Sequence, residues 1–248
     1  MLKIALSGCC GRMGHVINDI VSGREGMEIV AGFDINTVQY ADFPIFADPF
    51  EFTGECDVII DFSNAASTER LLDYCEQHGT PGHSAAQLDR IRAASAKIAV
   101  FRSGNMSLGI NLMSELLKQS AAVLGDKYDV EIIEKHHNQK LDAPSGTALM
   151  LADAVASALP YDAEYVYDRH ERREKRPAHE IGISAIRGGT IVGEHSVLFC
   201  GRDEIIEIKH TALSREVFAV GAVDAAAFMA ERTQPGMYDM SDVIASHK

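Results

Sequence analysis

The sequence predicts an α/β protein: a Rossmann-like, doubly wound parallel sheet plus a smaller α+β domain with a mostly antiparallel open sheet. Three observations carry this. The first hundred or so residues alternate buried-strand and amphipathic-helix patterns. Gly8, Gly11 and Gly14 fall between the first strand and the first helix. From residue 181 onward, β-rich runs follow one another across short turns.

Residues 2–7 read as a buried strand, and a helix pattern opens at Arg12-Met13. A second strand, residues 28–33, ends in Asp34. Strand, glycine turn, helix, strand and acid together form the dinucleotide-binding arrangement. The glycines let the chain turn tightly and let a pyrophosphate approach the helix N-terminus. Asp34, twenty residues past Gly14, is placed to accept hydrogen bonds from ribose hydroxyls. The spacing is G-x-x-G-x-x-G, one residue off the common fingerprint. Residues 56–62 are a third strand, and residues 64–78 form a helix with Leu71, Leu72 and Cys75 on one face. Residues 85–96 read as helix and 97–101 as strand. One place breaks the alternation. After His78-Gly79-Thr80-Pro81 the next helix is expected to start at once with Gly82-His83-Ser84, leaving no room for the usual strand of about six residues. A doubly wound sheet needs an intervening strand there. Residues missing between Pro81 and Gly82 are therefore expected.

From Ser107 the pattern changes. Residues 108–124 form a long amphipathic helix, and the strand 130–135 leads into Glu134-Lys135-His136-His137-Asn138-Gln139-Lys140-Leu141-Asp142-Ala143-Pro144-Ser145-Gly146-Thr147-Ala148. Ala143-Pro144 is an extended or turn dipeptide. Ser145 is an N-cap, with Gly146 and Thr147 in the first turn of a helix that runs apolar to residue 159. The free N–H groups of that turn favour a carboxylate or phosphate. His136, His137 and Lys140 add a fixed cation and groups that titrate near neutral pH. The polar stretch 169–179 reads as a solvated loop. The β-runs 181–186, 190–199 and 204–209 are expected to be antiparallel neighbours, with Arg187-Gly188-Gly189 as one turn. An apolar helix covers residues 214–231. The division is a dinucleotide-binding domain, 1–107 with 216–248 returning to it, and a substrate-binding and oligomerisation domain, 108–215. The second sheet has helices enough for one face only, which calls for a partner.

Composition excludes other classes. A formal net charge of -13 lacks the basic footprint of nucleic-acid binding, and an anionic substrate needs the local cations around Lys140. No apolar run approaches the roughly 20 residues of a membrane span. The chain opens on a strand without a signal sequence, so a cytoplasmic protein is expected. Five scattered cysteines form no C-x-x-C pair. Cys9-Cys10 are read as small residues tolerated in a tight turn. An adjacent histidine pair cannot put both rings on one side of a strand, so no metal site is expected.

The segment 134–148 resembles the signature of the dihydrodipicolinate reductase family, more formally 4-hydroxy-tetrahydrodipicolinate reductase. The likeness extends to Gly8–Gly14, to Val58-Ile59-Ile60-Asp61-Phe62-Ser63, and to Asn105-Met106-Ser107-Leu108-Gly109. It continues in residues 187–195, in His210-Thr211-Ala212-Leu213-Ser214-Arg215 and in Pro235-Gly236-Met237-Tyr238-Asp239-Met240. The resemblance implies reduction of a cyclic, unsaturated dicarboxylate by NADH or NADPH in lysine and diaminopimelate biosynthesis, by a homotetramer. It implies His136 as the acid/base residue, Lys140 as proton donor, His137 as a substrate contact, and the Gly146 and Thr147 amides as holders of a substrate carboxylate. Cofactor contacts are implied at Gly8, Cys9, Cys10, Gly11, Arg12, Met13 and Asp34, and again at Ser103, Gly104, Asn105 and Met106. The sequence departs from the family in three places. Asn138 replaces the usual arginine, Ile35-Asn36 offer no base for a 2′-phosphate, and the strand leading to a Gly-Thr-Thr-Gly turn is missing after Pro81. With Asp34 unaccompanied by arginine, NADH is favoured. Two alternatives remain at this point: another NAD(P)-dependent amino-acid or semialdehyde dehydrogenase, or an inactive nucleotide-binding homologue.

Overall fold

Ile4, Ala5 and Leu6 are wholly buried on β1 (Leu2–Ser7), as a parallel strand covered on both faces requires. The computed structural model describes residues 1–78, 82–83 and 88–247. After β1 come α1 (Arg12–Ser22), β2 (Met27–Phe33), β3 (Ile45–Phe46), β4 (Val58–Asp61), α2 (Thr68–His78), β5 (Gly82–His83), α3 (Leu88–Ser95) and β6 (Ala99–Phe101). The ladders are parallel in the order β3-β2-β1-β4. β5 pairs in parallel with β6 and lies beside β4. Strand order therefore reverses at β1/β4, where an open α/β sheet binds ligands at its carboxyl edge. Ile59, Leu71, Leu72, Tyr74, Cys75, Ile91 and Val100 are among the buried side chains that join sheet and helices.

Gly82-His83 do not begin a helix. They form a two-residue strand against Val100 and Phe101, and the helix starts at Leu88. The partner strand β6 is itself three residues long, so a short ladder suffices. The Pro81–Gly82 junction, on which the expectation of missing residues rests, lies outside the described residues.

The next elements are α4 (Leu108–Leu124), β7 (Asp129–His136), α5 (Gly146–Ala156), β8 (Glu164–Val166), β9 (Glu180–Arg187), β10 (Gly193–Cys200) and β11 (Ile205–Ala212). They build a five-stranded sheet in the order β11-β10-β7-β9-β8. The sheet is mixed: β10 is antiparallel to β11 and β7, whereas β7–β9 and β8–β9 are parallel. β9 and β10 are thus not neighbours. β7 lies between them, and the chain through Arg187-Gly188-Gly189 crosses its end. α4 and α5 pack together and bury Met113, Leu117, Leu151 and Val155 against Val130, Ile132, Ile183 and Val197. The polar stretch is no free solvated loop either. Arg169 and Arg172 pair with Glu180, which is 3% exposed, and Arg169 and Arg176 pair with Glu131.

The chain ends with α6 (Glu216–Ala230), β12 (Gly236–Tyr238) and α7 (Met240–Ser246). α6 packs on α1, β1 and β4, and β12 extends the first sheet beside β6. Two compact units result, Met1–Ser107 with Glu216–Lys248, and Leu108–Arg215. No helix among the described residues is long and apolar enough to cross a membrane.

Candidate active site

The glycine turn is a site where side chains do not fit. Gly8 has φ 76°, and a Cβ there would lie 2.7 Å from the Phe62 carbonyl oxygen. A Cβ on Gly14 would lie 2.3 Å from the Cys9 oxygen. Gly11 caps α1 without a side chain, no acid stands in the first turn, and the N–H groups at Arg12 and Met13 lead the helix. This leaves an anion-binding N-terminus. Asp34 closes the turn from β2: its Oδ2 accepts from the Cys10 N–H at 3.0 Å and its Oδ1 from the Asn36 N–H at 3.0 Å. A cavity of about 330 Å³ opens here, lined by Gly8, Gly11, Asp34, Phe62, Ser63 and Arg70 among others. Arg70 is a cation that sequence reasoning missed. Its guanidinium lies 4.0 Å over the Phe50 ring and donates to Asp48 at 2.7 and 3.1 Å. Burial pushes the Cys9 thiol up to about 12 and raises Cys10 as well, so both are neutral and neither is an activated nucleophile. Burial likewise raises Cys200, the one cysteine of Leu108–Arg215. It therefore lacks the lowered pKa that marks an activated thiol nucleophile.

Ser103, Gly104, Asn105 and Met106 follow β6 at its carboxyl end. Ser103 Oγ donates to the Asn105 oxygen at 2.7 Å, and Asn105 Oδ1 accepts from the Ser107 N–H at 2.8 Å. These bonds shape a tight connection next to the buried Met106 side chain.

In the second unit one segment gathers the remaining candidates. Val130, Ile132, Glu134 and His136 share the buried face of β7. His136 ends the strand and is 9% exposed. His137, just past the strand, accepts through Nε2 from Arg215 Nη2 at 3.0 Å. Desolvation, then the Arg215 charge, holds its imidazole below the usual histidine range, so it is a neutral contact beside a cation. Lys140 Nζ lies 2.9 Å from Asp142 Oδ1. Ser145 caps α5 by accepting from the Ala148 N–H at 3.2 Å, with Gly146 and Thr147 in the first turn and no acid there.

Beneath this segment lies a network that ties His136 and the Ser145 cap, both singled out in the sequence, to Glu134, Arg187 and His195. The Glu134 carboxylate, 0% exposed, accepts from Arg187 Nη1 and Nη2 at 2.7 Å each, from His136 Nδ1 at 2.6 Å and from the Ser145 N–H at 3.0 Å. Burial alone would raise its pKa, but the hydrogen bonds from Arg187, His136 and Ser145 outweigh burial and hold it below the ordinary carboxylate value. His195, opposite Glu134 on β10, has Nε2 3.1 Å from Ser145 Oγ. Burial, then repulsion from His136, pushes His195 down to about 4. A legible signal existed: Glu134 and His136 continue the two-residue repeat of Val130 and Ile132 into the core.

The family model described as dihydrodipicolinate reductase, N-terminus, matches residues 2–106, and the model for its C-terminus matches residues 109–244. A 4-hydroxy-tetrahydrodipicolinate reductase of Clostridium tetani is 47% identical over 252 aligned residues, covering 99% of this chain and 98% of the relative. One from Clostridium novyi is 48% identical, covering 99% of each. The fold is that of a dipicolinate-bound dihydrodipicolinate reductase from a Paenisporosarcina species, at a TM-score of 0.81 and 23% identity over 96% of this chain and 97% of that one. By sequence along its whole length, the chain belongs to the dihydrodipicolinate reductase family.

Proposed function

We propose that His136 and Lys140 move protons, and that His137, Gly146 and Thr147 bind substrate, in the reduction of 4-hydroxy-tetrahydrodipicolinate to tetrahydrodipicolinate by NAD(P)H. This is a step of lysine and diaminopimelate biosynthesis. As a family member the chain is an NAD(P)H-dependent oxidoreductase. The observation that supports the site assignment is the single segment that carries His136, His137 and Lys140 and runs into the first turn of α5. A nicotinamide cofactor supplies the hydride. Gly8, Cys9, Cys10, Gly11, Arg12 and Met13 hold its pyrophosphate, Asp34 its ribose, and residues 103–106 its other end. The glycine positions that a Cβ would fill and the uncapped helix fit such a ligand. One substrate carboxylate accepts from the Gly146 and Thr147 amides, favoured by the helix dipole. Lys140 and Arg215 offset the charge of a dianion. The 4-hydroxyl leaves as water: His136 Nε2 takes a proton from the neighbouring ring carbon and returns it to the departing oxygen. Hydride then adds to the carbon that lost the hydroxyl, and Lys140 gives one proton to the electron pair left on the substrate.

The reading extends to NADH as the preferred cofactor, a cytoplasmic location and a homotetramer. Its test is steady-state turnover of the cyclic dicarboxylate with NADH. Lys140→Ala and His136→Ala should each lower kcat by about two to four orders of magnitude while changing the KM for NADH far less. Near-wild-type turnover of either variant would remove the role given to that residue.

A further inference from the structure

We propose that Glu134, clamped by Arg187, is the positioning residue of this reaction: it fixes which nitrogen of His136 carries hydrogen and ties that ring to the first turn of α5. This rests on the assignment of His136 as the acid/base residue and deepens it. An ionised carboxylate only accepts hydrogen bonds. At 2.6 Å from Glu134 Oε2, His136 Nδ1 must therefore be the donor. Neutral His136 is then a base at Nε2, and the protonated ring is an acid at the same atom. Nε2 lies beside Gly193, where a Cβ would come within 3.2 Å of it.

The carboxylate cannot rotate away from this task. Arg187 takes both oxygens in a two-pronged contact at 2.7 Å, the geometry that fixes a carboxylate plane most strictly. Arg187 is held in turn, donating to the Asp142 carbonyl oxygen at 2.5 Å. The fourth bond, from the Ser145 N–H, anchors the residue that caps α5. One buried anion therefore sets the ring that exchanges the proton and the helix turn proposed to hold the substrate carboxylate.

The test combines a double-mutant cycle with a tautomer measurement on the full chain. Glu134→Gln should lower kcat about 10- to 100-fold, as loss of a carboxylate behind a histidine does elsewhere, with little change in KM for NADH. Glu134→Asp should recover part of the loss. In a His136→Gln background, Glu134→Gln should cost almost nothing further in kcat, because Glu134 acts on kcat through the ring, while its hold on the α5 turn reads out in the KM for the dicarboxylate. An equal loss in both backgrounds overturns the inference and leaves the role of His136 intact. Full activity of His136→Gln alone overturns both. Should Glu134→Gln not fold, histidine-labelled wild-type protein decides. Long-range proton–nitrogen correlation, assigned with His136→Gln, should show hydrogen on Nδ1 of His136, and hydrogen on Nε2 would refute the proposal.

Discussion

Asp34 and Glu134 show how neighbouring groups give two carboxylates different tasks. Asp34 accepts from two backbone N–H groups and lies on the wall of the glycine-turn cavity. On the proposed assignment, a carboxylate there would accept from both ribose hydroxyls and repel a 2′-phosphate. The only cation lining that cavity among the described residues is Arg70, and Asp48 already takes its guanidinium through two nitrogens. The expected outcome is a kcat/KM for NADH above that for NADPH. A clear preference for NADPH would refute the argument. His195 carries a second residue-scale prediction. Its folded-state pKa of about 4 lies below the ordinary histidine value of about 6.5. Between these pH values the unfolded chain binds the proton and the folded chain does not. The stability is therefore complete above about pH 6.5 and is lost as pH falls toward 4, by up to about 3 kcal/mol. Melting temperatures of wild type and His195→Gln across that window should converge as pH falls. Parallel curves would show that His195 does not drive the loss.

The elements differ in how visibly the sequence announces them. β1, the glycine turn, α1 and β2 are legible because their signals are local: a buried run, three glycines and an amphipathic repeat. Gly14 shows why such a signal is physical. Alanine there would put its Cβ 2.3 Å from the Cys9 oxygen and 2.5 Å from the Gly8 oxygen, and backbone cannot yield as a flexible side chain can. Gly14→Ala should therefore shift the turn against α1. The expected losses are about 1–3 kcal/mol of stability in urea and roughly tenfold or more in NADH affinity by fluorescence titration. Unchanged values for both would mean the turn relaxes freely. What was not legible is long-range. β9 and β10 follow each other across a short turn, yet β7, more than forty residues earlier than β9, lies between them. No periodicity encodes that pairing. β5 was missed because a two-residue strand is too short to show a repeat. The segment 134–148 announced its histidines and its cap. Its anchor, Glu134, became a hub only once Arg187, from a different strand, was brought beside it.

At the scale of the whole molecule, the second unit has a sheet face that no helix among its own described residues covers. α4 and α5 pack on the face that carries Val130, Ile132, Ile183 and Val197. The alternation of β-strands sends Ile133, Ile186, Leu198 and Ile205 to the other face. Ile186 is 46% and Ile205 64% exposed, and no helix among the described residues of this unit packs there. The same face carries an ordered charge ladder, in which Glu194 meets Lys135 at 3.2 Å and Lys209 at 3.0 Å. β11 is also an edge strand of eight residues with unpaired backbone groups. An apolar face beside an open edge is the form of an interface between sheets, and left bare it invites aggregation. A closed symmetric assembly hides such faces without leaving new ones. The expected species is a homotetramer joined through these sheets. Light scattering at micromolar concentration should give four times the 27.0 kDa chain mass. Ile205→Glu places a charge on the outer face without touching the buried core, and it should shift the population to smaller species that keep the circular dichroism of the wild type. A monomeric wild type at that concentration would refute the assembly.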